Sequence, residues 1–479
     1  MMQHMHIAGP QGSGEVEITG VTADSRLVAP GFLFAALPGT RTDGSRFIAD
    51  AVARGAAAVL APNGTVWPPG VPPRPLIQDA EPRRILARLA ALHAGRQPET
   101  VVAVTGTNGK TSTVEFLRQI MSETRPAASL GTLGVIAPGH AGGAGLTTPD
   151  PVALAETLAT LAAEGVRFAA VEASSHGLDQ FRLDGVQLRA AGFSNLTRDH
   201  LDYHGTTEAY RAAKLRLFDT LLPAHAAAVV NSDMDADTLA ALRAIAAERR
   251  LDLRTVGVDG DDIRLLRAAP HPGGQSLDVL DRGVRRAIDL PLPGRFQADN
   301  ALLAAALARA VGASAALDAT VRLRGVRGRM ELAAALPNGA AVYVDYAHTP
   351  DALERLLASL RPHTTGRLHV VFGAGGDRDR GKRPLMGAVA ARLADQVIVT
   401  DDNPRTEAPA SIRAAILAAC PGARAIGDRA DAIAAGLNGL APGDVLVVAG
   451  KGHEQGQTIG GETLPFDDAA VISRLTGRP

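Results

Sequence analysis

The distribution of apolar and polar positions divides the chain into regions of different character. From residue 101 onward, short apolar runs end in glycine-rich or polar loops and lead into helical stretches, and this pattern recurs several times. Strands that alternate with helices predict a parallel sheet covered by helices on both faces. The first 98 residues instead contain short β-like runs, turns, a Pro-rich stretch and a predicted helix over residues 83–95.

The strand–helix pattern occurs in two blocks, separated by a segment of another kind. Strands are predicted at residues 100–105, 168–173, 190–195, 226–231, 341–345, 368–372, 396–400 and 445–449. Between the blocks, alternating runs in residues 262–291 predict antiparallel hairpins, and two Ala-rich helices follow. The expected fold is therefore α/β with three domains, at residues 1–98, 99–329 and 330–479.

The composition is that of a globular protein with sizeable cores. Hydrophobic residues make up 46% of the 479 residues but aromatic residues only 3%, so Ala, Val and Leu must fill the cores. The 49 basic and 50 acidic residues leave no bulk charge for binding nucleic acid or an anionic membrane. Cys420 is the only cysteine, which excludes an intramolecular disulfide and favours a reducing compartment. Without a signal-peptide pattern or an apolar run of about 18 residues, we expect a cytoplasmic protein with no membrane span.

The segment VAVTGTNGKTSTVEFL carries a predicted phosphate-binding loop between an apolar strand and a helix. Gly106 and Gly109 let backbone N–H groups converge on phosphate oxygens at the positive end of the helix dipole. Lys110 can reach the β- and γ-phosphates, and the Thr111 hydroxyl can bind Mg²⁺. The spacing is shorter than in the G-x-x-x-x-G-K-[ST] motif, and a glycine turn that only opens a helix is the alternative. The strand–turn–helix context with Lys–Thr favours a nucleotide.

Ionisable side chains follow two further strands of the same block. Glu172 lies at the end of one predicted strand, where ligands collect in parallel sheets. Asn195, Asp199, His200 and His204 follow the next. A carboxylate, a histidine and the threonine of the loop can hold Mg²⁺ between nucleotide and acceptor, although each histidine alone is more often structural.

Lys214 lies in an Ala-rich helical stretch. A solvated lysine is the ordinary interpretation of such a position. Near a phosphoryl-transfer centre, however, a cation or a chemically modified lysine can help to position metal ions, so both interpretations stay open.

Four loops of the second block place acids and arginines at strand ends. They are DYAHTP, GAGGDRDRGKRP, DDNPRT and GKGHEQ. Ligands of open α/β sheets bind beyond these ends, so Asp402, Glu454, Arg378 and Arg405 are expected to meet. Carboxylates suit an ammonium and arginine forks suit a carboxylate, which predicts a zwitterionic ligand. Solvated turns or mutual ion pairs are the alternative for any single loop.

In these motifs and their order, the chain resembles the Mur ligase family over nearly its whole length. The motifs that carry the resemblance are DSRLVAPGFLFAALPGTRTDG, TGTNGKTST, LTTPD, VEASSHGLDQFR, SNLTRDHLDYHG, YRAAKLRLF, GRMEL, VDYAHTPDAL, GAGGDRDRGKRPLMG, DDNPRTE and GKGHEQ. The resemblance implies a small α/β UDP-binding domain, a central P-loop-type ATPase domain with a mainly parallel sheet, and a C-terminal Rossmann-like domain. It also implies an ATP-dependent ligase that uses Mg²⁺.

The resemblance also implies roles for individual residues. For the nucleotide these are Thr105, Gly106, Thr107, Asn108, Gly109, Lys110, Thr111 and Ser112, with Asn300, Arg329 and Asp345 around the adenosine. For the metal they are Thr111, Glu172, His200 and a carbamylated Lys214, and the catalytic set is Lys110, Lys214 and His200. For the UDP-linked substrate they are Ser25, Thr40, Arg41, Thr42, Thr147, Thr148, Ser174 and Arg182. For the incoming amino acid they are Arg378, Asp402, Asn403, Arg405, Gly450 and Glu454.

Two positions depart from the family pattern, and one motif suggests the substrate. Leu146 stands where an asparagine often precedes the paired threonines, and Gln297 replaces a usual asparagine, whereas Asn300 is kept. The DNPR motif is the family's signature for meso-diaminopimelate. Arg405 can bind the second carboxylate of that ligand, and it would face the ammonium of lysine instead.

The resemblance thus implies one activity, with three alternatives. The activity is addition of meso-diaminopimelate to the D-Glu γ-carboxylate of UDP-MurNAc-L-Ala-D-Glu through an acyl phosphate, in peptidoglycan precursor synthesis. The expected protein is a monomer that binds no nucleic acid. The alternatives are a lysine-adding ligase of the same kind, a folate-type polyglutamate ligase, and a nucleotide-switched binding protein without ligase activity.

Overall fold

The computed structural model describes residues 5–8, 15–39, 42–143, 145–197, 199–271 and 273–477. The chain forms two compact units, one of residues 1–261 and 303–316 and the other of residues 262–302 and 317–479. The division into three domains stays a prediction. Among the described residues, no helix combines the length and the apolar character needed to cross a membrane.

The first unit consists of strands followed by helices over most of its length. Its strands are β1 (Met5–Ala8), β2 (Glu15–Ile18), β3 (Gly20–Thr22), β4 (Phe32–Ala35), β5 (Ala58–Pro62), β6 (Leu76–Asp79), β7 (Thr100–Thr105), β8 (Ala127–Gly131), β9 (Gly134–Ala137), β10 (His140–Ala141), β11 (Phe168–Glu172), β12 (Leu188–Phe193), β13 (Ala227–Asn231) and β14 (Asp252–Gly257). Its helices are α1 (Ile48–Ala53), α2 (Pro82–Ala94), α3 (Lys110–Ser122), α4 (Pro151–Ala163), α5 (Ser175–Asp179), α6 (Leu201–His204), α7 (Thr207–Arg216) and α8 (Ala236–Arg249). Short 3₁₀ turns cover Ser25–Leu27 and Gly44–Phe47, and a π turn covers Leu217–Leu221.

Two parallel sheets organise the first unit. Strands β3, β4, β5 and β6 form a four-stranded sheet, and all its pairs are parallel. In the larger sheet the strands of this unit follow the order β10-β9-β8-β11-β7-β12-β13-β14. The pairs from β8 to β14 are parallel, whereas β9 and β10 add an antiparallel edge.

The centre of the larger sheet fixes where the site lies. Strand β7 pairs with β11 on one side and β12 on the other, with Glu172 opposite Val104 and Phe193 opposite Thr105. Residues 101–104 are fully buried, because helices cover both faces of the strand. The loops that follow these three strands therefore leave the sheet side by side at its carboxyl edge.

The second unit carries the second strand–helix block. Its strands are β15 (Ile263–His271), β16 (Gly274–Asp281), β17 (Val284–Leu290), β18 (Glu331–Ala335), β19 (Ala341–Asp345), β20 (Leu368–Phe372), β21 (Gln396–Val399), β22 (Arg424–Ala425), β23 (Val445–Ala449), β24 (Gly456–Ile459) and β25 (Glu462–Pro465). Its helices are α11 (Pro350–Leu360), α12 (Lys382–Leu393), α13 (Pro409–Leu417), α14 (Arg429–Leu437) and α15 (Asp468–Thr476), with 3₁₀ turns at Thr320–Arg322 and Arg361–His363. Helices α9 (Arg295–Ala310) and α10 (Ala316–Ala319) have residues in both units.

The main sheet of the second unit has the order β18-β19-β23-β20-β21-β22. Its pairs from β19 to β22 are parallel, and β18 is an antiparallel edge strand. Because β19, β23, β20 and β21 are consecutive neighbours, the four loops that end them emerge at one edge. The α/β fold class is thereby confirmed, and so is the antiparallel character of residues 262–291, which form β15, β16 and β17.

The strand predictions are accurate where an apolar run ends in a loop. The strands predicted at residues 100–105, 341–345, 368–372 and 445–449 have those bounds in the structure. The strand predicted at residues 190–195 is Leu188–Phe193, so Asn195 lies in the loop after it, where its side chain accepts from Asn108. Strands β8, β9, β10 and β14 were not predicted, since their short sequences lack the long apolar runs of the central strands.

Candidate functional site

The predicted phosphate loop connects the buried strand β7 to the thirteen-residue helix α3. Gly106 has φ 143°, and a Cβ atom there would lie 2.0 Å from Ser194 Oγ, so only glycine fits this turn. Gly109 caps α3 with φ 84°. The backbone N–H groups of the first turn of α3 face the loop, which is the arrangement that binds phosphate.

Two lysines donate to the same carbonyl of this loop. Lys110 Nζ is 3.0 Å from Gly106 O and 3.0 Å from Thr107 O. Lys214 Nζ, on α7, is 2.7 Å from Gly106 O and 4.5 Å from the centre of the Tyr210 ring. The structure thus brings Lys214 to the predicted phosphate loop.

Burial changes the chemistry of Lys214. Its side chain is 1% exposed, and burial, followed by repulsion from Lys110, holds the pKa of its amine well below the usual lysine value. The un-ionised amine is therefore favoured at this position. Only that form can react with carbon dioxide, so burial shifts Lys214 in the direction that carbamylation needs.

The residues after β12 hold the phosphate loop in place. Asn195 exchanges two hydrogen bonds with Asn108: its Oδ1 accepts from the backbone N–H at 3.0 Å, and its Nδ2 donates to the carbonyl at 3.1 Å. Tyr210 donates its hydroxyl to Thr107 Oγ1 at 3.1 Å, and burial raises the pKa of Tyr210 to about 12. Ser194 Oγ donates to Asn108 O at 2.5 Å. Sequence reasoning missed Tyr210 and Ser194, because both act across about 90–100 residues of chain.

Glu172 lies at the carboxyl end of β11 and is 1% exposed. Its Oε1 accepts the backbone N–H of Thr132 at 2.8 Å. The Thr132 hydroxyl in turn contacts the Thr147 hydroxyl at 3.1 Å. Thr132 thus connects Thr147, which is expected at the UDP-linked substrate, to Glu172, which is expected at the metal.

The other expected substrate residues form one network with the backbone of Glu172. Thr148 Oγ1 donates to Glu172 O at 2.7 Å and lies 3.0 Å from Ser174 Oγ. Arg182 Nη1 donates to Thr148 O at 2.6 Å. Leu146 is 60% exposed, and its hydrocarbon side chain offers no hydrogen bond to this network.

A group of aromatic and imidazole rings lies beside the loop. His200 has φ 51°, and its ring is 4.9 Å from His176 and 6.2 Å from Tyr210. His176 also lies 5.5 Å from His204. Burial is the main cause of the lowered pKa of His176 and of His204, so the rings favour the neutral form, which is the form that binds metal.

The side chains at this edge fit a magnesium ion that the protein holds with few ligands. Within the described ranges, no three His, Cys, Asp or Glu side chains are grouped to hold a metal. Mg²⁺ usually keeps several waters and is bound through one or two carboxylates and substrate phosphates rather than in a protein cage. The buried carboxylate of Glu172 and the hydroxyl of Thr111, on the first turn of α3, are oxygen ligands of this kind.

The predicted uridine contacts are only partly described. Ser25 is half-buried and begins the 3₁₀ turn that Asp24 caps. Thr42 is exposed, and its carbonyl accepts the N–H of Gly39 at 3.2 Å. Thr40 and Arg41 lie outside the described residues.

In the second unit, the residues expected around adenosine form a connected group. Asn300 donates to Gln297 Oε1 at 3.2 Å, and Gln297 Nε2 donates to Arg329 O at 3.4 Å, so Gln297 takes part where the family usually has asparagine. The Arg329 guanidinium lies 4.6 Å from the centre of the Tyr346 ring. Asp345 accepts the backbone N–H of Met330 at 2.7 Å, and burial raises the pKa of its carboxyl.

The loops after β21 and β23 meet, as predicted for the zwitterion pocket. Asn403 Nδ2 donates to Glu454 Oε2 at 3.0 Å. Gly450 has φ 117°, and a Cβ atom there would lie 3.3 Å from Asp402 Oδ2. Asp402 is 6% exposed, and its Oδ1 lies 3.4 Å from Lys451 Nζ as an ion pair without a hydrogen bond. A buried carboxylate in this position suits a cation.

The two arginines of the predicted pocket lie on the loops after β20 and β21. Arg405 is half-buried, has φ 52° and donates Nη1 to Gly376 O at 2.7 Å. Arg378 is exposed on the facing loop. Glu407, which sequence reasoning passed over, accepts from Arg383 and from Asp377 N, and these contacts lower the pKa of its carboxyl to about 2.

A fully buried ion pair lies under the same loops. Arg429 donates Nε and Nη2 to the two carboxylate oxygens of Asp468, both at 2.7 Å, and Nη2 also lies 3.1 Å from Ala449 O. Both side chains are completely buried. The pair therefore ties α14 and α15 to the end of β23, directly before Gly450.

Models of three protein families match successive parts of the chain. They are the Mur ligase family, catalytic domain, at residues 17–95, the Mur ligase middle domain at residues 104–308, and the Mur ligase, glutamate ligase domain, at residues 328–452. The matched segments contain the phosphate loop, the threonine network and the pocket loops after β20 and β21, whereas Glu454 lies two residues beyond the third match.

Individual proteins match over nearly the full length. The chain is 56% identical to UDP-N-acetylmuramoyl-L-alanyl-D-glutamate–2,6-diaminopimelate ligase of Caulobacter vibrioides, covering 96% of each chain. It is 55% identical to the ligase of the same name from Rhizobium meliloti, over 96% of this chain and 95% of that one. A solved structure of a ligase with that name is 34% identical, with a TM-score of 0.73, over 96% of this chain and 95% of that one.

Proposed function

The chain belongs to the Mur ligase family, and we propose that it joins meso-diaminopimelate to UDP-N-acetylmuramoyl-L-alanyl-D-glutamate at the expense of ATP. The observation that carries the proposal is the 56% identity, over 96% of both chains, to a ligase named for this reaction. The product is a precursor of peptidoglycan. ADP and phosphate are the other products.

The first step forms an acyl phosphate. A γ-carboxylate oxygen of the D-glutamyl residue attacks the γ-phosphorus of ATP, the bond from that phosphorus to the bridging oxygen breaks, and ADP leaves. The glycine-rich loop and the N–H groups of α3 hold the phosphates, and the Lys110 ammonium offsets charge between the two anionic reactants. Catalysis of this step is mainly positioning and electrostatic stabilisation.

The second step forms the amide. An un-ionised amine of diaminopimelate attacks the acyl carbon, the C–N bond forms, the C–O bond to phosphate breaks, and the nitrogen loses a proton. Asp402, Asn403 and Glu454 hold the amino-acid end of the ligand, and Arg405 binds its far carboxylate. The geometric support is the meeting of these loops at one edge of a sheet.

Magnesium would be held by Thr111, Glu172, His200 and a carbamylated Lys214. When bound, the ion neutralises negative charge on phosphate oxygens. The burial of Lys214 beside the phosphate loop, which lowers the pKa of its amine, supports its modification.

The alternatives make different predictions. A lysine-adding ligase would not need the Arg405 guanidinium, and a folate-type ligase would not need the first 98 residues. A nucleotide-switched binding protein would bind ATP but release no ADP in response to acceptor and amine. The names and the high identity of the relatives favour the diaminopimelate ligase over all three.

The decisive assay follows ADP release from the purified protein. The protein receives Mg-ATP and UDP-MurNAc-L-Ala-D-Glu, and then meso-diaminopimelate, L-lysine or L-ornithine. We expect turnover with diaminopimelate only. No ADP with any amine would refute the ligase, whereas equal turnover with lysine would refute the selectivity.

Replacing Arg405 with asparagine should reduce the preference for diaminopimelate. Asparagine tolerates the left-handed backbone at φ 52° and shortens the side chain, so the guanidinium and its hydrogen bond to Gly376 O are lost. Loss of a charge-assisted hydrogen bond of about 1.5–3 kcal/mol predicts a rise of about 10–150-fold in KM for diaminopimelate. Steady-state ADP release measures KM for diaminopimelate, and KM for ATP in the same variant is the internal reference.

A surface arginine of the same unit provides the control. Arg392 on α12 is exposed and pairs with Glu354, so Arg392→Ala should leave KM for diaminopimelate unchanged. An Arg405→Asn enzyme with wild-type KM and wild-type discrimination against lysine would show that the far carboxylate is bound elsewhere.

We also propose a cytoplasmic location and a monomeric state for the enzyme. ATP and UDP-linked substrates support the location. Gel filtration with light scattering tests the monomer.

A further inference from the structure

Lysine is scarce in this chain. Only four of its 49 basic residues are lysines, namely Lys110, Lys214, Lys382 and Lys451, and the rest are arginines. A surface cation can be either residue, so positions that keep lysine in such a chain are positions where arginine does not serve. The first two belong to the nucleotide loop and its neighbour α7. Lys451 has no role in the reaction described above.

Lys451 lies inside the amino-acid pocket rather than on the surface. Its side chain is completely buried, one residue after Gly450. Its Nζ donates to Asn403 Oδ1 at 2.8 Å and to Gly456 O at 2.7 Å. The same Nζ is 3.4 Å from Asp402 Oδ1 and 4.0 Å from Glu454 Oε2. One ammonium group thus has four oxygen atoms around it.

This arrangement requires a compact, tetrahedral cation. An ammonium has three rotatable donors on a flexible stem, whereas a guanidinium spreads five donors over a rigid plane. Because the site is closed on all sides, the wider group would have to displace the DNPR loop or the strand β24. The geometry therefore accounts for the presence of lysine here.

The contacts of Lys451 orient the groups that face the ligand. Asn403 Oδ1 accepts from Lys451 Nζ and also from the backbone N–H of Thr458, which is 2.9 Å away. Because the amide oxygen is held in this way, Asn403 Nδ2 points to Glu454 and donates to it. The orientation of the amide is thus fixed at both ends. The carbonyl of Gly456 extends the same connection to β24.

Lys451 also sets the charge of the pocket. Asp402 and Glu454 alone would present two negative charges in a partly buried space, which is costly without a counter-charge. With the Lys451 ammonium between them, the side chains of Asp402, Glu454 and Lys451 together carry one negative charge. One negative charge matches one ammonium of the incoming amino acid.

We propose that Lys451 is a positioning residue of the amino-acid pocket, which orients Asn403 and Glu454 and reduces the charge of the acidic pair to that of one ligand ammonium. The role rests on the proposed function, because it concerns the binding of the amine substrate. It concerns that substrate alone and not ATP or the UDP-linked acceptor.

The test is a Lys451→Met variant, which removes the ammonium and keeps the length of the side chain. ADP release is measured while each of the three substrates is varied in turn. We expect KM for meso-diaminopimelate to rise about tenfold or more, while KM for ATP and for the UDP-linked substrate stay within about twofold of wild type. Loss of a merely structural contact would instead lower the active fraction and leave every KM unchanged.

A second variant covers the case in which Lys451→Met fails to fold because Asp402 is left unpaired. Lys451→Met combined with Asp402→Asn removes both charges and should fold, as judged by thermal unfolding. Its KM for diaminopimelate should exceed that of the Asp402→Asn single variant, which is the reference because Asp402 itself holds the ligand. His369→Leu is the matched control. It breaks a buried contact with Asp444 of 3.1 Å at the opposite end of the same sheet, so it should lower stability and leave KM for diaminopimelate unchanged.

The outcomes separate the inference from the function on which it rests. An active wild-type enzyme whose Lys451 variants keep a normal KM for diaminopimelate overturns the role of Lys451 alone. A KM that rises equally for all three substrates also overturns it. A wild-type protein without turnover overturns the proposed function and the inference together.

Discussion

Lys110→Met should lower the rate of ADP release by at least about 100–1000-fold. The side chain starts α3, and its ammonium is the group of the phosphate loop that can follow the γ-phosphoryl group as negative charge moves from one oxygen to another. Methionine has nearly the same length and packing volume but no charge. The loop should lose its electrostatic contribution to phosphoryl transfer together with the hydrogen bonds from Lys110 to Gly106 O and Thr107 O, and thermal unfolding checks that the protein stays folded. A time course of ADP release at saturating substrate concentrations gives the ratio of the two rates.

A cation on the same helix is the control for this prediction. Arg118 lies two turns further along α3 and pairs with Glu115. Arg118→Met should keep most of the activity, although it should reduce the stability of the helix. If Lys110→Met retained more than about a tenth of the wild-type rate, the loop would not be the site of phosphoryl transfer.

Lys214→Ala should lower activity about 10–100-fold, and added formate, acetate or propionate should restore part of it. Lys214 donates to Gly106 O, is 1% exposed and favours an un-ionised amine. A carbamate at this position places a carboxylate next to the phosphate loop, and a small carboxylate can enter the space that alanine leaves. Activity in a series of carboxylate concentrations measures the effect.

Two further observations make the Lys214 prediction specific. Lys214→Arg keeps a cation but cannot form the carbamate, so it should be inactive and should not respond to carboxylates. Wild-type protein incubated with ¹³C-bicarbonate should show a carbamate carbon signal by NMR that is absent from both variants. Full activity of Lys214→Ala without any carboxylate would contradict the modification.

The features that could be predicted from the sequence are those determined by neighbouring residues. The phosphate loop was recognisable because its glycines, its lysine and the start of α3 lie within a few positions of one another. The order of the central strands could not be predicted, since β7 lies between β11 and β12, which are far away in sequence. The contact of Tyr210 with Thr107 depends on that order, so it was missed.

In the predicted amino-acid pocket, the net charge could not be predicted from the sequence either. The sequence pattern predicted Asp402 and Glu454 at two of four strand ends that share one edge, and assigned both to the ammonium of the ligand. In the structure an internal ammonium, that of Lys451, already lies between them. A lysine in a glycine-rich loop gives no sign in the sequence that it is completely buried, because burial depends on the loops that close over it.

The distribution of the four lysines has a practical consequence for labelling. Lys214 and Lys451 are buried, and Lys110 and Lys382 are half-buried. Ordinary amine-acylating reagents, which label the whole surface of most proteins, would here meet side-chain amines only beside the phosphate loop and at the start of α12. A peptidase specific for lysine would likewise have four cleavage positions in the chain. Footprinting with such common reagents therefore reports directly on the predicted phosphate loop and on the start of α12, without any engineered cysteine or tag.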